Sequence, residues 1–298
     1  MTLKQLEYVI KVAEKLNITD AANELFIAQP SLTHAIHELE EEMNIQIFIR
    51  TNKGVVLTSD GEVFLGYARQ VLDEANLLKE KFNNIKSKPK FAVSCQHYSF
   101  CVSAFSDCVN EFNSNEYDFT LRETETYEII NDVNSLKSEL GVLYLSNKNK
   151  DVILSILKKN DLIFNPLFEA SPHVFISKNS PLAKKDVIGL KDLEPYPYLT
   201  YEQGNYNSFY FSEEFLPTIY SNKNIVVKDR ATLFNLIDKL NGYTVSSGKI
   251  FKDVNENIII AKKFNYDEKM NIGYITKKGV SLSKYANAFI NYIKNYVD

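Results

Sequence analysis

Apolar side chains at Leu6, Val9, Ile10, Ala13 and Leu16 recur at helical spacing over residues 3–16. Asn17 and Ile18 interrupt that stripe. Thr19 then stands where its hydroxyl can cap a second helix, 20–25, which carries the small pair Ala21-Ala22. After the break Phe26-Ile27-Ala28, Pro30 opens a third helix, at a position where its missing N–H costs nothing. The apolar stripe of that helix is Leu32, Ala35, Ile36, Leu39 and Met43. Three short amphipathic helices with a tight second turn describe a helix-turn-helix, whose last helix fits a DNA major groove. Further on, Thr58 can cap a longer helix, with Asp60 and Glu62 in its first turn to suit the macrodipole. Phe64, Ala68, Val71, Ala75, Leu78, Phe82 and Ile85 follow at steps of 4, 3, 4, 3, 4 and 3. That is a heptad seam, the pattern by which two helices pack side by side, on a rod of roughly 40 Å. The basic stretch Lys86, Lys88, Pro89, Lys90 after it reads as a hinge.

From residue 91 the period changes. Strands at 91–95, 118–123 and 140–145 alternate with helices at about 99–112 and 127–136. A second series begins near Pro172, with strands at 173–177, 198–201, 225–228 and 243–246 and helices near 208–215 and at 230–240. A strand at 271–276 and a helix at 281–296 return to the first series. Alternation of this kind predicts βαβ units and mainly parallel sheets, here two α/β lobes joined by two crossings. Ligands in such sheets bind beyond the carboxyl ends of the strands.

Composition changes the picture at one point only. Lys plus Arg number 34 and Asp plus Glu 38, a net charge of −4, which argues mildly against a nucleic-acid partner. Residues 1–60 are themselves −4, residues 61–90 are +2 and residues 91–298 are −2. The helix-turn-helix pattern contests that argument, and requires positive charge to be concentrated locally. No apolar run approaches the roughly 18–20 residues of a membrane helix, and the N-terminus lacks the apolar block of a signal peptide. A cytoplasmic protein without a membrane partner is expected. Cys95, Cys101 and Cys108 offer neither a disulfide framework nor metal spacing. Cys101 and Cys108 share one helical face with Ala104, Phe105 and Phe112 and read as core. Cys95 and His97 lack a third orienting group. With no phosphate-cradling glycine loop, metal cluster or triad in view, no cofactor, metal or catalytic residue is expected, and the chain is not read as an enzyme.

The stretch 21–65 resembles the DNA-binding domain of LysR-type transcriptional regulators. The alanine pair, Gln29-Pro30-Ser31-Leu32-Thr33, Leu39-Glu40, Phe48, Arg50-Thr51, Gly54, Leu57-Thr58 and Gly61 fall in register across this stretch without a gap. The resemblance implies a winged helix-turn-helix with Phe48 to Leu57 as its wing, and DNA contacts from Gln29, Pro30, Ser31, Thr33, His34, His37, Arg50, Thr51 and Lys53. It departs at Ala28, where the family often has a capping Ser, and at His34 and His37, where it often has Arg or Lys. The acids Glu38, Glu41 and Glu42 must point away from DNA for that face to work. Histidines beside phosphates predict an affinity that falls between about pH 6 and 8.

The same resemblance extends over the rest of the chain, through Asn179-Ser180-Pro181-Leu182-Ala183 and residues 242–248. It implies an α+β multidomain chain: a winged helix-turn-helix (1–58), a linker helix (59–88) that dimerises the DNA readers, and a two-lobed α/β effector domain like the periplasmic binding proteins (89–298). Lobe I would take 89–165 and 268–298, and lobe II 166–267. Family effector contacts fall on loops matching Gln96, Tyr98, Ser99, Thr124, Thr200, Tyr201 and Gln203. Implied partners are double-stranded DNA, a small-molecule co-inducer, further copies of the chain (homodimer and homotetramer) and RNA polymerase. The alternative is an effector-independent repressor or architectural protein whose lobes serve only oligomerisation. Arg122 and Arg230 could each clamp a carboxylate or sit in an ion pair, and the nine aromatics of 196–220 read as core or subunit contact.

Overall fold

A computed structural model describes residues 1–52, 54–83, 88–112, 116–204, 208, 210–215, 221–248 and 258–297 of the chain. Two compact units emerge, Met1–Pro89 with Asn134–Lys137, and Lys90–Val133 with Ser138–Asp298.

In the first unit, α1 (Leu3–Lys15) begins with a capping box in which Thr2 and Gln5 satisfy each other's backbone N–H groups. Helix α2 (Ile18–Glu24) is capped by Asn17, not Thr19. The Asn17 carboxamide accepts from the N–H groups of Thr19 and Asp20, whereas Thr19 already lies inside the first turn. Helix α3 (Gln29–Met43) starts at Ala28 without a side-chain cap, the cost of having no hydroxyl there. Glu40 Oε1 accepts from the N–H groups of Ile47 and Phe48, at 2.7 and 3.0 Å, and so ties the end of α3 to the hairpin of β1 (Phe48–Thr51) and β2 (Gly54–Leu57). Gly54 sits at φ +133°, and a Cβ there would come 2.3 Å from the Leu16 carbonyl oxygen, so only glycine fits. Thr58 accepts from Gly61 N at 2.8 Å and opens α4 (Ser59–Asn83). Leu6, Val9, Ala21, Ala22, Leu32, Ile36, Leu39, Phe48 and Val55 form the core.

The second unit holds two sheets. One has the order β4-β3-β5-β13-β6, from β3 (Lys90–Cys95), β4 (Asp118–Glu123), β5 (Leu140–Leu145), β6 (Leu162–Ala170) and β13 (Met270–Lys277). Strands β3, β4 and β5 run parallel, while β13 runs antiparallel to both β5 and β6. Helices α5 (Ser99–Phe112), α6 (Thr126–Asn134), α7 (Lys150–Lys159) and α10 (Lys284–Val297) accompany this sheet. The other sheet has the order β10-β9-β11-β7-β12-β8, from β7 (His173–Ser177), β8 (Val187–Ile188), β9 (Tyr198–Tyr201), β10 (Asn224–Val227), β11 (Tyr243–Ser246) and β12 (Ile259–Phe264). Short α8 (Leu190–Leu193) and longer α9 (Arg230–Leu240) accompany it. The chain crosses between sheets twice, from β6 to β7 and from β12 to β13.

Two expectations change here. Residues 208 and 210–215 are not helical, and their turns and bends carry a buried acidic pair instead. Strand β6, like α7 and β12, has no counterpart among the elements expected from the sequence. In the fold Pro166 lies opposite Gly273 at a register shift, a place where a missing N–H is tolerated.

Candidate functional site

On the first unit, α3 exposes Gln29, Pro30, Ser31, His34 and His37, while Leu32, Ile36 and Leu39 face inward. Thr33 is half-buried and accepts from Gln29 Nε2 at 3.2 Å. His34 Nε2 lies 3.2 Å from Glu38 Oε1 and His37 Nδ1 lies 3.4 Å from Glu41 Oε1. Four residues is about one helical turn, so these acids share the exposed face with the histidines and do not point away from it. Glu42 is the exception, drawn instead to the N-terminal amine. In the hairpin, Arg50 is exposed opposite Val55, and Thr51 donates to the Gly54 carbonyl. Lys53 lies outside the described residues. Phe26, which the sequence pattern does not single out, projects from the turn before α3 at 94% exposure with φ 53°.

Along α4, Phe64 and Ala68 are buried in the unit's own core, so the first two positions of the expected seam are filled within the protomer. An exposed apolar row begins one residue earlier, at Val63, Tyr67, Val71 and Leu78, the last 62% exposed. Ala75 is half-buried, the side chain of Phe82 is not described, and Ile85 falls outside the described residues.

In the second unit, the ends of β3 and β9 converge on a small space of about 20 Å³, lined by His97, Tyr98, Phe175, Tyr201, Glu213, Glu214, Phe234, Thr244, Val245 and Ser246. That is room for roughly one water. His97 stacks on Tyr201 with centroids 3.9 Å apart and planes 9° from parallel. Glu213 Oε2 accepts from the His97 backbone N–H at 2.9 Å and meets His97 Nδ1 at 2.8 Å, while its Oε1 accepts from Gln203 Nε2. Glu214 accepts from Tyr201 N and from the Ser212 hydroxyl. Burial, reinforced by the charge of Glu213, pushes the Glu214 carboxyl up to about 8. Burial pulls His97 down, but the charge and hydrogen bond of Glu213 outweigh it and raise the imidazole above its usual range. Thr244 Oγ1 is buried without a hydrogen-bond partner among the described residues. Arg230 Nη2 lies 3.1 Å from Glu123 Oε1 without hydrogen-bond alignment, which places this guanidinium in an ion pair. Arg122 joins a buried network, donating to Ser138 Oγ, which also meets Ser94 Oγ.

A family model described as "Bacterial regulatory helix-turn-helix protein, lysR family" matches residues 3–62, and one described as "LysR substrate binding domain" matches residues 99–298. The chain belongs to the LysR family. Its first part matches the family's helix-turn-helix and its second the family's substrate-binding domain. Among similar proteins are a probable nitrogen assimilation transcriptional activator of Synechocystis (26% identical over 68% of this chain and 64% of that protein) and the dual regulator OxyR of Escherichia coli (24% over 69% and 65%). The match thus spans just under two thirds of the length of these relatives. Among solved structures, a full-length OxyR variant from Pseudomonas aeruginosa superposes with a TM-score of 0.65 at 17% identity, covering 99% of this chain and 95% of that one. The LysR-family regulator CbnR gives a TM-score of 0.54 at 14% identity over the whole of both chains.

Within this LysR-family effector domain the residues expected to meet a ligand divide. Tyr98 and Tyr201 line the cavity. Gln96 is wholly buried and spends its carboxamide on the fold: Nε2 donates to Thr126, and Oε1 accepts from Tyr98 OH and Tyr144 N. Gln203 lies just behind the cavity, tying Thr126 N to Glu213. Ser99, Thr124 and Thr200 do not line the cavity. The lining residues that sequence reasoning misses are Glu213 and Glu214 above all. The signal available is an acidic pair inside the aromatic run Phe209 to Phe215, where the pattern predicts core.

Proposed function

We propose that the protein is a cytoplasmic transcriptional regulator that reads an operator as a dimer and responds to a small molecule in the cavity between its two lobes. The division into DNA reader (1–58), linker helix (59–88) and effector domain (89–298) belongs to this reading. The observation that carries it is the exposed row Gln29, Pro30, Ser31, His34 and His37 on α3, with Arg50 of the hairpin, on a domain that matches the LysR helix-turn-helix model. Side chains at the start of a recognition helix meet base edges, while a wing arginine meets phosphate. Phe26 has the apolar surface that suits a thymine methyl or a sugar. The dimer would form along Val71 and Leu78 of α4, with a tetramer and RNA polymerase contact as further assemblies.

The test is a gel shift and footprint on the DNA upstream of the gene. Ser31→Ala with Gln29→Ala should weaken binding at least about tenfold at that site and leave non-specific affinity intact. Equal loss on all sequences, or no preferred site in a genomic selection, would overturn the reading. One observation favours the effector-independent alternative: the cavity as it stands admits no more than about one water. A ligand that changes the footprint decides against it.

A further inference from the structure

The cavity wall carries two neighbouring carboxyl groups, Glu213 and Glu214. Glu213 and Glu214 each take bonds from the surrounding fold, yet their four oxygens offer more lone pairs than these bonds use, and acceptor capacity remains on both. The backbone N–H and Nδ1 of His97 are directed to Glu213, and Tyr98 OH donates to Gln96. Thr244, 4% exposed, lines the cavity, and its buried hydroxyl has no hydrogen-bond partner among the described residues. Tyr98, Phe175, Tyr201 and Phe234 give the lining its apolar part, with His97 stacked on Tyr201 and Phe100 on Tyr98. Glu213 is paired with His97 and Arg230 is held by Glu123 outside the lining, so Glu214, pushed up to about 8 by burial, has no cationic partner among the described residues, and a cationic ligand would supply one.

Resting on the reading of this cavity as the effector site, we propose that it takes an organic cation. An ammonium or guanidinium head would donate to Glu213, Glu214 and Thr244, with its apolar body among Tyr98, Phe175, Tyr201 and Phe234. The present volume requires the lobes to part on entry, so binding is coupled to lobe arrangement, as a regulator needs.

The experiment uses the full chain and matched probes: benzylamine, butylamine and benzamidine against benzoate and butyrate, at equal ionic strength, read by thermal unfolding. At least one cation should raise the midpoint by about 2 °C or more at roughly 10 mM, with no shift from the anions. Glu214→Gln should weaken that cation about tenfold or more. Thr244→Val, which keeps the side-chain shape, should weaken it several-fold and serves if Glu214→Gln does not fold. Stabilisation by benzoate or butyrate alone would overturn the cation assignment and leave the effector reading standing. No shift from any probe would overturn both. A cation shift of undiminished size in both variants would place binding elsewhere and overturn the assignment.

Discussion

Glu213 and Glu214 are neighbours in sequence with different fates. Glu213 has the imidazole of His97 as counter-ion, while Glu214 has only hydrogen bonds and is held up to about 8 by burial and by its neighbour's charge. A carboxyl that titrates near 4.5 in the unfolded chain and near 8 in the fold binds its proton more tightly when folded. Stability is therefore intact below about 4.5 and is lost as pH rises through 8. His97, raised by Glu213 against the pull of burial, works in the same direction: its contribution is present below about 6.5 and fades as pH passes its folded value. Glu214→Gln should thus be at least about 2 kcal/mol more stable than the wild type at about pH 8.5, with the gap closing toward pH 5. Parallel pH profiles of the unfolding midpoint would contradict this. Burial also decides the cysteines. Cys95 is wholly buried, and its hydrogen bond with Cys101, together with desolvation, raises the thiol well above its ordinary range. Desolvation raises Cys108 to about 11. Native protein should react with a thiol reagent at least about a hundredfold more slowly than the unfolded chain, so a fast-reacting Cys95 would refute this account.

At the scale of elements, the long helix serves two surfaces. Phe64 and Ala68 close the helix-turn-helix core, and the exposed row resumes at Val71 and Leu78. Val71→Glu with Leu78→Glu should raise the dimer dissociation constant at least about a hundredfold, because paired seam positions would bury like charges. Light scattering across a dilution series reads this, and an unchanged mass would remove the helix from the interface. The heptad spacing is legible in the sequence, but its first two apolar positions belong to a different partner. Periodicity reports which face is buried and not what covers it. Strand β6 shows the converse, since Pro166 argues against a strand until the fold supplies a bulge opposite Gly273.

For the whole molecule, charge is the informative quantity. A net charge of −4 includes a DNA-reading unit with few cations, and two of its acids, Glu38 and Glu41, share the exposed face of α3 with His34 and His37. Glu38→Gln with Glu41→Gln should tighten operator binding about threefold to tenfold at about 0.1 M salt, since near-surface charges interact by about 1 kcal/mol. Equal affinities would mean that these acids stand clear of the phosphates. Arg50→Ala should lower affinity on all sequences and reduce the salt slope by about one.

The Thr58 cap of α4, the apolar periods, the helix-turn-helix register and the alternation of strands and helices were determined by the sequence alone, because they depend on residues a few positions apart. The tertiary structure decided the rest. It engaged the Gln96 carboxamide with Thr126, Tyr98 and Tyr144, and it brought Glu213, Glu214 and Thr244 to His97 across more than a hundred residues. Such assemblies leave no local pattern, since what selects those side chains is the dielectric and the hydrogen-bond inventory of a space that exists only once both lobes have formed.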